Sequence, residues 1–215
     1  MKEVKTQFYT FGETRKDRLK LKSGVPFGPV TVAYETYGKL SPARDNAILL
    51  FHALSGSQHA AGITKQVPGV GKRWQEECQP GWWNGYIGPG KALDTDQFFI
   101  VCANYFGGCY GSTGPCSINP RTGKPYGAKF PRIEASDMVD VQVRLIQHLG
   151  IKQLHAAIGA SMGGMLAVNL AVRYPEIVRN VIPIAAGLEV STLQRIHNFE
   201  RSEERRVGKE CRSRW

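Results

Sequence analysis

The stretch GASMG, residues 159–163, places a single hydroxyl between two glycines in the spacing G-x-S-x-G. An apolar run at 154–160 leads into it, and a helix-forming run, MLAVNLAVRY, follows it closely. A serine on a sharp strand-to-helix turn presents its Oγ to a pocket and can attack an acyl carbonyl. The sequence therefore predicts Ser161 as the nucleophile of an acyl-transfer reaction, with an inert serine on a glycine-rich turn as the alternative.

The residues around Ser161 suit that chemistry. Side chains at 159 and 163 would collide with the neighbouring strand and helix, so glycine at both positions permits the turn. Ser161 would also lie at a helix N-terminus, where free N–H groups and the helix dipole favour developing negative charge. We therefore predict the backbone amide of Met162 as a donor to the oxyanion of a tetrahedral intermediate.

A second oxyanion donor is expected from the loop after an earlier strand. The run AILLFHA at 47–53 is typical of that strand, and small and polar residues follow it. We predict the backbone amide of Leu54 as this second donor. His52 lies in the same region and is interpreted as holding the loop by hydrogen bonding, with a role as general base as the alternative.

Five segments have the β-branched and aromatic content of strands between turn signals. The second, third and fourth are almost continuously apolar, which favours strands buried on both faces of a parallel sheet. The first alternates more and suits an outer antiparallel strand. The segments are 30–38, 47–53, 98–105, 154–160 and 180–186.

Two helices alternate with these strands, which predicts an α/β domain. Ser136 or Asp137 is predicted to cap a helix that ends near Leu149, where Gly150 stops it. The second helix begins just after the candidate nucleophile and ends before Pro175.

Two long loops rich in glycine and proline, 56–96 and 107–127, interrupt the pattern. For the first loop, functional decoration and plain packing around Trp74, Trp82 and Trp83 are equally open. Neither a G-x-G-x-x-G dinucleotide signature nor a phosphate-binding G-x-x-x-x-G-K-[ST] loop occurs in the chain.

Composition points to a single cytoplasmic domain. The chain has 215 residues, of which 42% are hydrophobic. No apolar run reaches the roughly 18 residues of a membrane helix, and the N-terminus lacks the apolar core of a secretory signal. The five cysteines form no C-x-x-C pair, so we expect no metal site, and Cys102 is predicted to be a buried thiol.

The net charge of +10 does not indicate a nucleic-acid partner. Residues 201–215 hold five Arg and one Lys against three Glu, a net +3, and the other +7 is spread over 200 residues without a basic block. A solvated basic surface is the favoured interpretation over a nucleic-acid patch.

The segment RSEERRVGKECRSRW, residues 201–215, has no apolar period. It resembles the in-frame translation of a short-read sequencing adapter, whose first codons AGA-TCG-GAA-GAG encode the residues found from Arg201 to Glu204. We therefore expect residues 1–200 to be the N-terminal part of one domain and 201–215 to be non-native, with a genuine disordered tail as the alternative.

Several stretches together resemble the homoserine O-acetyltransferase family of the α/β-hydrolase fold. The resemblance covers essentially residues 15–200. The matching stretches are VAYETYG (32–38), NAILLFHALSGSQHAAG (46–62), GWW (81–83), IGPGKALDTDQFFIVCANYFGGCYGSTGPCSINP (87–120) and IGASMGGMLA (158–167).

The resemblance implies a mostly parallel sheet with flanking helices, here truncated before the later strands. It implies that Ser161 takes an acetyl group from acetyl-CoA and passes it to L-homoserine in methionine biosynthesis, with no bound cofactor and with Leu54 and Met162 as oxyanion donors. The family also suggests a homodimer built through a helical lid, which would begin near 187–200.

The family's catalytic Asp and His, which follow the serine along the chain, have no counterpart here. No Asp follows Ser161, and the one later histidine, His197, is interpreted as a surface residue. Ser57 and Asn84 stand where the family often has aspartate. A succinyl donor, a serine acceptor, a serine hydrolase such as an esterase, and a catalytically inactive fragment with an unpaired sheet edge therefore stay open as alternatives.

Overall fold

The computed structural model describes residues 2–187. The expectations for His197, for a lid beyond Gly187 and for the segment 201–215 lie outside these residues. Within them are ten strands and two α-helices, α1 (Ala135–His148) and α2 (Met162–Arg173). The strands are β1 (Gln7–Phe11), β2 (Leu19–Lys20), β3 (Pro26–Phe27), β4 (Val30–Tyr37), β5 (Ala47–Phe51), β6 (Ile87–Gly88), β7 (Leu93–Asp94), β8 (Phe99–Ala103), β9 (Leu154–Ala160) and β10 (Val178–Ile184).

Six of these strands form the main sheet, in the order β1-β4-β8-β5-β9-β10. The strands β8, β5, β9 and β10 are parallel neighbours, whereas β4 runs antiparallel to both β8 and β1. The short strands pair separately, β2 with β3 and β6 with β7. The predicted α/β fold with a mostly parallel sheet is therefore confirmed.

Both faces of the central strands are covered, which explains their continuous apolar sequence. Leu49 and Phe51 of β5 pack on one face in a cluster that includes residues of α1 and α2. Ile48 and Leu50 pack on the other face against residues of the segment 60–93, among them Ala60. Among the described residues, this segment takes the place of a helical layer on that side of the sheet.

The helix after the second long loop begins earlier than the sequence indicated. Glu134, and not Ser136 or Asp137, is the N-cap of α1. Glu134 and Asp137 form a capping box, in which the Asp137 carboxylate accepts a 2.8 Å hydrogen bond from the Glu134 backbone N–H. The expected stop is present, since Gly150 has a φ of +71°.

The outer position predicted for the first strand is wrong. β4 lies second from the edge, because β1 pairs with it over Gln7–Phe11 and covers its outer side. Of the predicted strands, 154–160 has the observed bounds, and the other four differ from the structure by one or two residues at their ends.

The first long loop is a packed layer. Trp74 is buried and donates a 2.8 Å hydrogen bond from its Nε1 to the Thr64 carbonyl. Trp82 donates similarly to the Ser57 carbonyl, at 2.9 Å. The structure therefore supports packing around the tryptophans for this segment, and Cys102 beneath it is buried, as predicted.

Candidate active site

Ser161 occupies the single residue between the end of β9 at Ala160 and the start of α2 at Met162. Its backbone has φ +54° and ψ −122°, a region that non-glycine residues rarely adopt. The residue is exposed, while most of β9 before it is buried. The strand–turn–helix setting that a serine nucleophile requires is therefore present, with the backbone strain at the serine itself.

The glycines next to Ser161 are imposed by backbone contacts. A Cβ on Gly159 would overlap the carbonyl group of Gly163. A Cβ on Gly163 would overlap the Phe51 carbonyl oxygen and lie 2.7 Å from that of His52. The turn is therefore pressed against the end of β5, and neither position has space for a side chain.

The first turn of α2 leaves backbone donors free near the serine. The Ser161 carbonyl accepts hydrogen bonds from the N–H groups of Gly164 and Met165, at 3.0 and 3.2 Å. Met162 is the first residue of the helix, so its N–H has no acceptor within the helix. No acidic side chain lies in this first turn, so the partial positive charge of the helix terminus is not offset by a neighbouring carboxylate.

The loop carrying Leu54 leaves the sheet beside this turn. β5 and β9 are parallel neighbours, and Phe51 is paired with Gly159. The loop after Phe51 and the turn at Ser161 therefore both lie at the carboxyl ends of these adjacent strands. The Leu54 side chain is 74% exposed, and no hydrogen bond between described residues uses its backbone N–H. The structure thus brings together the segments of all three predicted site residues, Ser161, Leu54 and Met162, and their catalytic roles stay predictions.

His52 has the surroundings of a structural residue. Its ring is 2% exposed, and Nδ1 lies 2.7 Å from the Ala53 carbonyl oxygen. Burial lowers the pKa of this imidazole to about 4. A general base works best with a pKa near the working pH, so the alternative role of His52 as the base for Ser161 is not supported.

Sequence reasoning missed a buried polar cluster beneath the neighbouring loop. The Glu35 carboxylate accepts hydrogen bonds from the Tyr37 hydroxyl and from His59 Nδ1, both at 2.8 Å. The Tyr37 oxygen in turn accepts from the backbone N–H groups of Ala60 and Ala61. The one available signal was a glutamate inside the apolar run VAYETY, since a charged residue is almost never fully buried without a partner.

An acid–base partner for Ser161 is missing between Met162 and Gly187. This stretch contains no Asp and no His, and its one carboxylate, Glu176, precedes β10.

Residues 2–187 also hold no cluster of three or more His, Cys, Asp or Glu side chains that could bind a metal ion. In the same range, no helix has the length and apolarity needed to cross a bilayer.

The comparisons with known proteins agree with this geometry. The family model for the alpha/beta hydrolase fold matches residues 46–209. A homoserine O-acetyltransferase of Deferribacter desulfuricans is 50% identical over 190 residues, which are 88% of this chain and 47% of that protein. The chain spans about half the length of the curated relatives it matches.

Two solved structures are similar in fold and in sequence. The crystal structure of esterase E22 has a TM-score of 0.81 and 34% identity, covering 96% of this chain and 54% of that one. The homoserine O-acetyltransferase of Bacillus anthracis has a TM-score of 0.77 and 33% identity, covering 99% of this chain and 57% of that one. The resemblance inferred from the sequence is confirmed, and the chain belongs to the α/β-hydrolase fold family.

Proposed function

We propose that this chain is part of a homoserine O-acetyltransferase, which transfers the acetyl group of acetyl-CoA to L-homoserine. The observation that carries the proposal is Ser161, held at φ +54° between β9 and α2 beside the loop of Leu54. Its support is the 50% identity to a relative of that name.

In the first half-reaction, Ser161 Oγ attacks the carbonyl carbon of the acetyl thioester and gives its proton to a general base. The carbonyl oxygen becomes an oxyanion, which the backbone N–H groups of Leu54 and Met162 stabilise. When the carbonyl re-forms, the carbon–sulfur bond breaks, and the CoA sulfur leaves with both electrons and takes the proton. The product is an acetyl ester on Ser161 and free CoA thiol.

In the second half-reaction, the side-chain hydroxyl of L-homoserine attacks the same carbonyl carbon. Its proton passes to the base, a second oxyanion forms between the same two amides, and the bond from carbon to Ser161 Oγ breaks. The proton returns to Ser161, and O-acetyl-L-homoserine leaves. Both half-reactions thus use the same oxyanion site, and a ping-pong kinetic pattern is expected.

The proton acceptor belongs to the part of the relatives that this chain does not span. We propose that an Asp and a His there complete the site, that residues 1–200 are the N-terminal part of a single domain, and that 201–215 are non-native. The genomic sequence downstream of codon 200 tests this, and a stop codon directly after Trp215 would contradict it. The polypeptide of residues 1–215 alone is then expected to be inactive, because a serine without its histidine is a weak nucleophile.

The remaining features of the proposal concern partners and location. We propose small-molecule substrates, no bound cofactor, no nucleic-acid or membrane partner, a homodimer for the whole enzyme, and a cytoplasmic location in methionine biosynthesis. The dimer is suggested by the family alone. A succinyl donor or a serine acceptor would leave the chemistry at Ser161 unchanged.

A serine hydrolase is the second candidate function. The structural similarity to esterase E22 favours it, since water can replace homoserine as the acceptor of the acetyl group from the same serine. The two functions differ only in the acceptor, so the geometry of Ser161 is compatible with both.

One assay separates the candidates. The enzyme expressed from the complete gene is incubated with acetyl-CoA, and thiol release is followed with and without L-homoserine, with L-serine and with succinyl-CoA as comparisons. Release that depends on homoserine and acetyl-CoA supports the acetyltransferase. Release at the same rate without homoserine supports the hydrolase, and a preference for succinyl-CoA or L-serine reassigns the donor or the acceptor.

A further inference from the structure

The hydrogen bond between His52 and Ala53 fixes which ring nitrogen carries a proton. The Ala53 carbonyl oxygen is an acceptor only, so Nδ1, at 2.7 Å, must be the donor. Nε2 is buried and has no hydrogen-bond partner among the described residues. An apolar ring at this position would avoid the unsatisfied Nε2, but it would have no donor for the Ala53 carbonyl. The Nδ1–H donor is therefore what histidine provides here and an apolar ring does not.

The acceptor of this bond belongs to the same peptide unit as the Leu54 amide. A trans peptide is planar, and its C=O and N–H point in opposite directions. The Ala53 carbonyl also accepts a 2.9 Å hydrogen bond from the Gly56 N–H, so two donors hold this oxygen. Fixing the Ala53 oxygen therefore also fixes the direction of the Leu54 N–H.

The His52 ring is itself held by Tyr105, which follows β8 on the neighbouring strand. The two rings stack with their centroids 3.8 Å apart and their planes inclined by 24°. The Tyr105 hydroxyl donates a 2.5 Å hydrogen bond to the His52 carbonyl oxygen. A Cβ on Gly56 would lie 2.8 Å from His52 Cβ, so the turn also packs closely against this side chain.

We propose that His52, held by Tyr105, is a positioning residue that aims the Leu54 N–H at the oxyanion formed on Ser161. This rests on the proposed acyl transfer through Ser161. His52 does not itself exchange a proton with substrate. It acts through the Ala53–Leu54 peptide, and its contribution is expressed only when negative charge develops on the acyl oxygen.

A pair of substitutions at His52 tests this. The side-chain amide nitrogen of asparagine lies close to the position of Nδ1, whereas that of glutamine reaches the position of Nε2. Both remove the ring and its stacking on Tyr105, and asparagine, which is one methylene shorter, loses at least as much packing as glutamine. Only asparagine preserves a donor to Ala53. The enzyme from the complete gene is used, with kcat and KM measured for acetyl-CoA.

We expect His52→Gln to lower kcat by about 10- to 100-fold with KM little changed. One oxyanion donor contributes about 100-fold or more to kcat, and a misdirected donor loses part of that contribution. His52→Asn should restore kcat to within about fivefold of the wild type. His148→Gln serves as the control, because His148 also stacks on a tyrosine, Tyr9, but is exposed on α1. It should leave kcat unchanged.

A binding measurement separates positioning from a general loss of structure. Methylboronic acid forms a tetrahedral adduct with a reactive serine and places an oxygen where the acetyl oxyanion would lie. Its dissociation constant should rise in His52→Gln by the same factor as kcat falls, and it should recover in His52→Asn. Equal losses in both variants would show that the ring matters only for packing, and this would overturn the proposal.

Tyr105→Phe keeps the proposal testable if His52→Gln does not fold. This change removes only the hydroxyl that donates to the His52 carbonyl and leaves the ring stacked. A fall in kcat of about three- to tenfold at constant KM is expected, as a part of the effect of removing one oxyanion donor, and an unchanged kcat would contradict the proposal. Ser161→Ala is measured in parallel. If this variant still forms an acyl-enzyme, the proposed function is contradicted. If Ser161→Ala is inactive but His52→Gln keeps the kcat of the wild type, only the positioning role of His52 is contradicted.

Discussion

Gly163 lies directly against the backbone of Phe51, so that a Cβ at residue 163 would overlap the Phe51 carbonyl oxygen. This contact joins the first turn of α2 to the end of β5. It places the loop that follows β5 beside Ser161, and so brings the backbone amide of Leu54 near that of Met162, the two amides predicted to bind the oxyanion. The site therefore depends on a close approach between two elements that are separated by more than 100 residues along the chain.

Gly163→Ala should be strongly destabilising. In a free helix this change would be favourable by about 1 kcal/mol, so the sign of the effect depends on the contact with β5. The neighbours are backbone atoms that have no rotamer to change, and we expect a loss of about 3 kcal/mol or more, at the upper end of overpacking effects. Urea unfolding measures it.

Gly85→Ala is the matched control for that substitution. Gly85 is exposed and an added Cβ would meet nothing within 4 Å. Its free energy of unfolding should change by no more than about 0.5 kcal/mol. If Gly163→Ala were as mild as Gly85→Ala, the close packing of α2 on β5 would be contradicted.

The stability of the protein should decrease at acid pH because of His52. The unfolded chain binds a proton at this residue below about pH 6.5, whereas burial lowers the pKa in the folded protein to about 4. Between these values the unfolded state binds more protons, so stability falls as the pH falls, by up to about 3 kcal/mol in total. Tyr105, stacked on the ring, stays neutral in this range because burial raises the pKa of its hydroxyl.

His52→Asn isolates that contribution, since asparagine does not titrate. Urea unfolding at pH 7.5, 6 and 5 should show a smaller loss of stability on acidification in the variant than in the wild type. Parallel pH dependences in the two proteins would show that His52 is protonated in the folded state as readily as in the unfolded one.

Glu35→Gln should destabilise the protein through the buried cluster next to the site. Glu35 and His59 are fully buried with their side chains 2.8 Å apart, and glutamine replaces the carboxylate of this buried pair by a neutral amide. Breaking a buried pair in this way costs about 3–5 kcal/mol. The change in urea midpoint at constant m-value is the measurement.

Asp17→Asn provides the comparison for Glu35→Gln. Asp17 pairs with Arg144 at 2.8 Å, but its side chain is 55% exposed, so water screens the interaction. Its removal should leave the urea midpoint almost unchanged. Equal effects at Glu35 and Asp17 would mean that the buried cluster does not hold the loop of His59 in place.

The sequence predicts those features that depend on local crowding. The strand at 154–160, the turn at Ser161 and the glycines beside it follow from residues within ten positions of one another. β1 escaped prediction because Gln7–Phe11 lies in a charged N-terminal stretch and depends on pairing with β4 for its stability.

The supporting contacts of the site are less visible in the sequence. Tyr105 and His52 lie 53 positions apart and meet only because β5 and β8 are neighbours in the sheet. Glu35 and His59 meet in the same way, across the face of the sheet that the first long loop covers. Residue types point to the candidate nucleophile, but strand order decides which side chains surround it.

Mapping of the acyl-enzyme tests the role of Ser161 most directly. The enzyme from the complete gene is mixed with acetyl-CoA without homoserine, quenched and digested, and its peptides are examined by mass spectrometry. We expect the acetyl group on Ser161, no adduct in Ser161→Ala with its fold preserved, and a normal adduct in the control Ser136→Ala. An acetyl group on a different residue, or an undiminished adduct in Ser161→Ala, would contradict the assignment of Ser161 as the nucleophile.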